Sequence, residues 1–280
     1  MPERASYIPG TPSWVDVSSP DPEASGRFYA GLLGWEIGEG LAETGGYRLC
    51  TVNGRNVAGL MPVMSPEQPV VWSTYVDTAD ADATATAIAA AGGQVLVSPM
   101  DVLDLGRMGV FLDAEGAAFG CWQAGTHTGA QLVNEPGTLT WNELNTRDPA
   151  LAEGFYGSVF GWTAVTEPMG PTDYTTFRVG DEGVAGMMVM DESFPAEVPP
   201  NWLVYFAVAD CDGAVAACAD LGGSTMFGPM DIPIGRFAVL ADPFGNALGI
   251  IMTVQLASSA TTTAVPASPA RPPMPGPRSA

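Results

Sequence analysis

Two acidic residues stand out as candidate proton acceptors. Asp16 lies in Trp14-Val15-Asp16-Val17 and Glu143 in Trp141-Asn142-Glu143-Leu144, each two residues after a tryptophan. Both phrases read as short strands, where residues two apart share a face. A carboxylate held beside an indole on a buried face loses hydration, which raises its pKa toward the range of a general base. The alternative is a carboxylate that pairs with an arginine or caps a backbone amide. Arg107 and Arg236, each after a turn glycine, are the natural partners, able to close such an ion pair or to anchor an anion with two parallel bonds. Trp14, Trp141, Trp72, Trp122 and Trp202, with Met61 and Met188, are candidates for an apolar, adaptable wall suited to a flat ligand, although the same residue types serve a core equally well.

Other chemistries are excluded by composition. The chain has no lysine, all ten basic residues being arginine, so Schiff-base catalysis and covalent pyridoxal phosphate attachment are out of reach. The one histidine, His127, cannot build a site with two imidazole ligands, and it reads as a solvated linker residue without a catalytic role. Cys50, Cys121, Cys211 and Cys218 form no CxxC pair and read as reduced, buried thiols of a cytoplasmic protein. A net charge of −21 speaks against nucleic acid and anionic membrane as partners; it would attract a cationic ligand, and it serves equally as a solubilising surface, the plainer reading. No apolar run approaches the length of a membrane span, and the first residues lack a secretory signal pattern.

The elements that must position these residues are repeated. Asp21-Pro22, Phe28-Tyr29 and Gly34-Trp35 return 127 residues later as Asp148-Pro149, Phe155-Tyr156 and Gly161-Trp162. Asp is a good helix N-cap, Pro suits the first helical position, and Gly ends the helix. Three strand-like segments follow each such helix, giving βαβββ. A second unit follows in each half, with an alanine-rich helix closed by Gly92-Gly93 or, 130 residues on, Gly222-Gly223. The four closing strands share a central glycine, at Gly59, Gly120, Gly186 and Gly249. The expected organisation is a leader (1–10), a first domain (11–124), a linker (125–136), a second domain (137–253) and a disordered Pro/Ala/Ser/Thr-rich tail (254–280).

Four βαβββ units, the first of each half with a DPxxxxxFYxxxxGW helix and the second of each half with a DxxG turn before its closing strand, resemble the vicinal oxygen chelate superfamily of glyoxalases, bleomycin-resistance proteins and extradiol dioxygenases. In its tandem arrangement the chain resembles actinobacterial glyoxalase-like proteins. It implies an α+β fold with two cup-shaped mixed sheets, and a metal ligand on the first and closing strands of each unit. Aligned by hand on the Phe-Tyr pair and the turn, those positions hold Trp14, Thr74, Trp141 and Val204, and Gly59, Gly120, Gly186 and Gly249. None is a ligand, so no metal or other cofactor is expected, and the glycines would leave space for a ligand to approach the backbone.

Three functions remain in view. One is a metal-independent small-molecule binder of the drug-sequestering type, for a cationic or aromatic ligand, acting as monomer or homodimer. Another is a metal-free isomerase, lyase or cyclase acting on a carbonyl compound with Asp16 or Glu143 as base. The third is a glyoxalase or dioxygenase with a non-standard metal site.

Overall fold

A computed structural model describes residues 3–65, 68–169, 172–192 and 194–254. Apart from Val254, the expected disordered tail lies outside the described residues. The first half runs β1 (Pro12–Ser19), α1 (Pro22–Leu33), β2 (Glu36–Ile37), β3 (Arg48–Val52), β4 (Arg55–Pro62), β5 (Trp72–Asp77), α2 (Ala81–Ala90), β6 (Gln94–Val102), β7 (Gly106–Leu112) and β8 (Ala118–Ala124). The second half repeats it as β9 (Leu139–Thr146), α3 (Pro149–Phe160), β10 (Thr163–Met169), β11 (Thr172–Val179), β12 (Glu182–Val189), β13 (Asn201–Ala207), α4 (Cys211–Asp220), β14 (Ser224–Ile232), β15 (Gly235–Ala241) and β16 (Ala247–Thr253). The fold is α+β, with four βαβββ units in two tandem domains.

The repeated helix phrase works as read. The Asp21 side chain accepts from Ala24 N–H and Gly34 closes α1 at φ 73°, donating to the Ala30 carbonyl. Asp148 and Gly161 do the same for α3, through Leu151 N–H, the Gly157 carbonyl and φ 70°. The left-handed conformation at both ends suits glycine, which lacks the Cβ that would clash there.

Two units join within each half, not between halves. The sheet orders are β2-β3-β4-β1-β5-β8-β7-β6 and β10-β11-β12-β9-β13-β16-β15-β14. The two first strands of a half pair antiparallel at the centre, Trp14 opposite Tyr75 and Trp141 opposite Tyr205. Alternation then sorts the side chains. Val15 and Val17 of β1 face the helices, and Trp14 and Asp16 face the concave cup.

The helices carry the contact between domains. α1 packs against α4 and α2 against α3. Phe28, Tyr29 and Leu32 of α1 share one core with Phe206, Cys218, Leu240 and Ile250 of the second domain. Phe155 and Tyr156 of α3 share another with Ile88, Phe111 and Phe119 of the first. Trp72 and Trp202 belong to these cores, on the helix side of β5 and β13. The expectation that they line the cups is corrected by one step of strand register, which moves a side chain to the opposite face.

Each tryptophan starts a hydrogen-bond chain that crosses the domain boundary. Trp72 Nε1–H donates to Tyr29 Oη (3.1 Å), whose hydroxyl donates to Asp242 Oδ2 (2.8 Å). Trp202 Nε1–H donates to Tyr156 Oη (3.0 Å), which donates to Asp113 Oδ2 (2.9 Å). The other oxygen of each aspartate accepts backbone N–H groups of its own turn, Glu115, Gly116 and Ala117 at Asp113 and Phe244 and Asn246 at Asp242. A second pair of latches comes from the Gly-Trp ends: Trp35 Nε1–H donates to the Gly137 carbonyl and Trp162 Nε1–H to that of Gly10. Among the described residues no helix is long and apolar enough to cross a membrane. Tyr156→Phe deprives two buried groups of a partner and should cost about 1–3 kcal/mol of unfolding free energy in a urea titration. A loss below about 0.5 kcal/mol, the scatter of a neutral surface change, would show the hydroxyl to be dispensable.

Candidate functional site

Asp16 and Glu143 both face their cups and both are held by tyrosines. In the first cup Trp14 Nε1–H donates to Tyr47 Oη (2.7 Å) and the Tyr47 hydroxyl donates to Asp16 Oδ2 (3.2 Å). In the second, Trp141 Nε1–H donates to Tyr174 Oη (2.9 Å), and Tyr174 and Tyr205 donate to Glu143 Oε2 (2.8 Å) and Oε1 (3.0 Å). Burial pushes all four cup tyrosines, Tyr47, Tyr75, Tyr174 and Tyr205, well above the ordinary phenol value, and the neighbouring carboxylate adds to it. They are neutral hydrogen-bond donors.

The two carboxylates differ in how completely they are satisfied. Glu143 reaches one methylene further and spends both oxygens on tyrosines. Asp16 is 3% exposed. Tyr75 and Ser73 approach it and help to hold its charge, yet among the described residues its Oδ1 has no hydrogen-bond partner. Burial raises its pKa from 3.8 to about 6, against the opposing effect of Tyr47, Tyr75 and Ser73. Burial raises Glu143 too, and its two tyrosine bonds oppose the rise.

The central glycines have a specific task. A Cβ at Gly59 or Gly186 would overlap the hydroxyl of Tyr47 or Tyr174, and one at Gly120 or Gly249 would overlap the ring of Tyr75 or Tyr205. The space expected to be empty is thus filled by tyrosine. The two second-unit strand positions expected in the cups, Thr74 and Val204, are not there. Both lie on the helix side, where Thr74 Oγ1 donates to Asn142 Oδ1 (2.8 Å) across the domain boundary. The cup positions are Tyr75 and Tyr205, one residue on. These tyrosines, with Tyr47 and Tyr174, were not singled out as site residues by sequence. Their signal was the repeat itself, since six of the seven tyrosines fall in matched pairs.

Arg107 and Arg236 are not partners of Asp16 and Glu143. Arg107 pairs with Asp82 and Asp101, and Arg236 with Asp212 and Asp231, all on the surface. Position along the chain did not reveal that β6 and β14 bring acids alongside these arginines. Met61 and Met188 stand on the cup face, opposite Ser18 and Asn145, half-buried.

The cups diverge in what covers them. The connecting segment packs into the first: Ala130 and Val133 are buried with Trp14, Tyr75 and Trp122, and Ala130 N–H donates to the Ser13 carbonyl (2.8 Å). His127 is not solvated as expected. Its ring lies edge-on to Trp14, with centroids 4.4 Å apart, and against Trp122, whose Nε1–H donates to the His127 carbonyl. Burial lowers its pKa to about 4. In the second cup Trp141 is half-buried, where Trp14 is 4% exposed. The wall continues from Tyr205 to Phe237 (6.4 Å between centroids) and on to Phe227 (5.8 Å). Met230 stands opposite Phe237, and Phe227 and Met230 are 51% and 40% exposed. Two cavities of about 200 and 280 Å³ lie outside both cups, one at Asp77 and one beside α1 and α4.

The model of the Glyoxalase/Bleomycin resistance protein/Dioxygenase superfamily matches residues 11–120 and 129–250. A putative glyoxylase, CFP32, of Mycobacterium tuberculosis is 43% identical over 90% of this chain and 98% of its own length. The anthracycline biosynthesis protein DnrV of Streptomyces peucetius is 39% identical over 88% and 94%. Among solved structures, the Mn(II)-bound glyoxalase of Novosphingobium aromaticivorans aligns with a TM-score of 0.60 at 16% identity over 87% of this chain and 82% of that one. The 2,3-dioxygenase LapB of Pseudomonas sp. KL28 aligns with a TM-score of 0.61 at 15% over 86% and 91%. At such identity these structures show a shared fold. A metal such as the first contains does not fit the cups. Among the described residues no three His, Cys, Asp or Glu side chains converge, whereas such ions need three or more protein donors. Each cup offers one carboxylate ringed by neutral phenols.

The raised pKa of Asp16 sets the sign of a pH effect. A carboxyl that binds its proton more tightly folded than unfolded favours the fold while protonated, and this advantage disappears as pH rises through about 6. Asp16→Asn should therefore remove part of the decline in stability between about pH 4 and pH 8. Its gain at pH 8 relative to pH 4 should reach up to about 3 kcal/mol, at roughly 1.4 kcal/mol per pKa unit. Parallel denaturation curves of the two proteins would show no such gap if Asp16 were ordinary.

Proposed function

The chain belongs to the Glyoxalase/Bleomycin resistance protein/Dioxygenase superfamily, and from that premise we propose that it binds a flat aromatic small molecule in its second cup without a metal. The observation that carries this reading is the open wall of Trp141, Tyr205, Phe237 and Phe227 around a carboxylate already held by two hydroxyls. Aromatic faces stack on a planar ligand, and Met188 and Met230 adapt to its outline. A buried Glu143 and a chain charge of −21 suit a ligand that carries a positive group. The relation to proteins named for anthracycline biosynthesis points to the same class of flat, polycyclic compound. Each domain holds a complete cup, so monomer and homodimer serve equally, and the four buried free thiols support action in the cytoplasm.

One observation favours a second reading. Asp16, with an unpartnered oxygen and a pKa of about 6, is placed to move a proton in an isomerase, lyase or cyclase step on a carbonyl compound. The connecting segment would then have to lift from the first cup.

The two readings separate by mutation. Titration with an anthracycline should quench tryptophan fluorescence saturably. Trp141→Ala should weaken binding at least about tenfold, or about 1.4 kcal/mol, and Asp16→Asn should leave it unchanged. Absence of saturable quenching in the wild type would remove the binding reading. Turnover of a carbonyl substrate that is lost in Asp16→Asn and kept in Trp141→Ala would establish the second.

A further inference from the structure

Asp77 closes β5 at the rim of the first domain. It is 6% exposed, and among the described residues no hydrogen bond or ion pair reaches its carboxylate. Burial alone raises its pKa, to about 6. The residue lines the cavity of about 200 Å³, together with Ser6 and Tyr7 of the leader, Thr78, Gln123 at the end of β8, and Thr128 of the connecting segment.

The backbone of Asp77 has a structural role, but its side chain does not. Its carbonyl accepts from Gly10 N–H (2.8 Å) and its N–H donates to the Thr11 carbonyl (2.9 Å). The equivalent residue of the second domain, aligned through Trp72 and Trp202, is Ala207. There the carbonyl accepts from Gly137 N–H (2.8 Å) and the N–H donates to the Thr138 carbonyl (2.9 Å). The same backbone junction is thus built with alanine. The Asp77 carboxylate opens onto the cavity without a protein partner, and the fold itself does not require one.

We propose that this cavity binds a small organic ammonium ion, with the Asp77 carboxylate as its counter-charge. The other groups suit that ligand. The Gln123 Oε1 is taken by Ala81 N–H (3.0 Å), which turns its amide N–H₂ toward other acceptors, such as a hydroxyl on the ligand. The hydroxyl of Tyr7 is committed to the Ala130 carbonyl (2.7 Å), and holds leader and connecting segment together over the site. The volume corresponds to roughly six or seven water molecules at about 30 Å³ each, enough for an ammonium on a short polar chain. A divalent metal is disfavoured, because one carboxylate falls short of the six or more oxygens that Ca²⁺ takes. The site is separate from the second cup and shares no lining residue with it.

Calorimetric titration of the full chain with ethanolamine at about pH 8, and in raised salt, tests the proposal. Saturation near one site per chain is expected, with no response to ethylene glycol, the uncharged match. Asp77→Asn should weaken binding at least about tenfold, and its thermal transition, unchanged or raised, would show that the loss is not unfolding. The wild type at about pH 5, with Asp77 protonated, should lose binding as well, which tests the carboxylate without a mutation. No saturation in the wild type overturns the site. So does equal binding by Asp77→Asn, which would mark general attraction to an acidic surface, and so does displacement of ethanolamine by calcium or magnesium, which would mark a metal site.

Discussion

The hydroxyl of one helical tyrosine, placed on the turn aspartate of the other domain, is the contact on which the architecture depends. Tyr29 reaches Asp242 and Tyr156 reaches Asp113, each tied back to its own sheet by a tryptophan N–H. A sheet of this kind has one face turned to its helices, and that face must be covered. Here each helix covers it jointly with the other half of the molecule. The Phe-Tyr and Gly-Trp pairs recur at constant spacing because each copy completes the core of its counterpart.

This mutual packing leaves the concave faces free to diverge. The same four positions in each cup pair a glycine with a tyrosine, and the exchange converts what would be ligand space into a hydrogen-bonded floor. On that floor one methylene distinguishes Glu143, satisfied by two hydroxyls, from Asp16, with an oxygen left over. The connecting segment then settles onto the first cup with His127 between two indoles. Scaffold symmetry and site asymmetry coexist because they are carried by opposite faces of the same strands.

Both domains share the fold of a Mn(II)-bound glyoxalase over most of the chain, yet among the described residues no three His, Cys, Asp or Glu side chains converge. A fold hosts many chemistries, so the candidate function lies in the aromatic wall and the buried acids of this chain.

The units, their order, the helix caps and the two-domain repeat were legible in the sequence, because they rest on local rules: an Asp-Pro start, a glycine stop and a period of two along each strand. The inward placement of Asp16 and Glu143 followed from the same alternation. Tertiary structure alone decided the rest. One step of register sent Trp72 and Trp202 to the helix side and brought Tyr75 and Tyr205 into the cups. Arg107 and Arg236 met acids on neighbouring elements that sequence distance does not reveal. His127, in a segment that reads as a solvated linker, is half-buried against Trp14 and Trp122 because that segment lies across the sheet of the first domain. Local sequence determines which face a side chain takes relative to its neighbours, and only the packed molecule determines what that face meets.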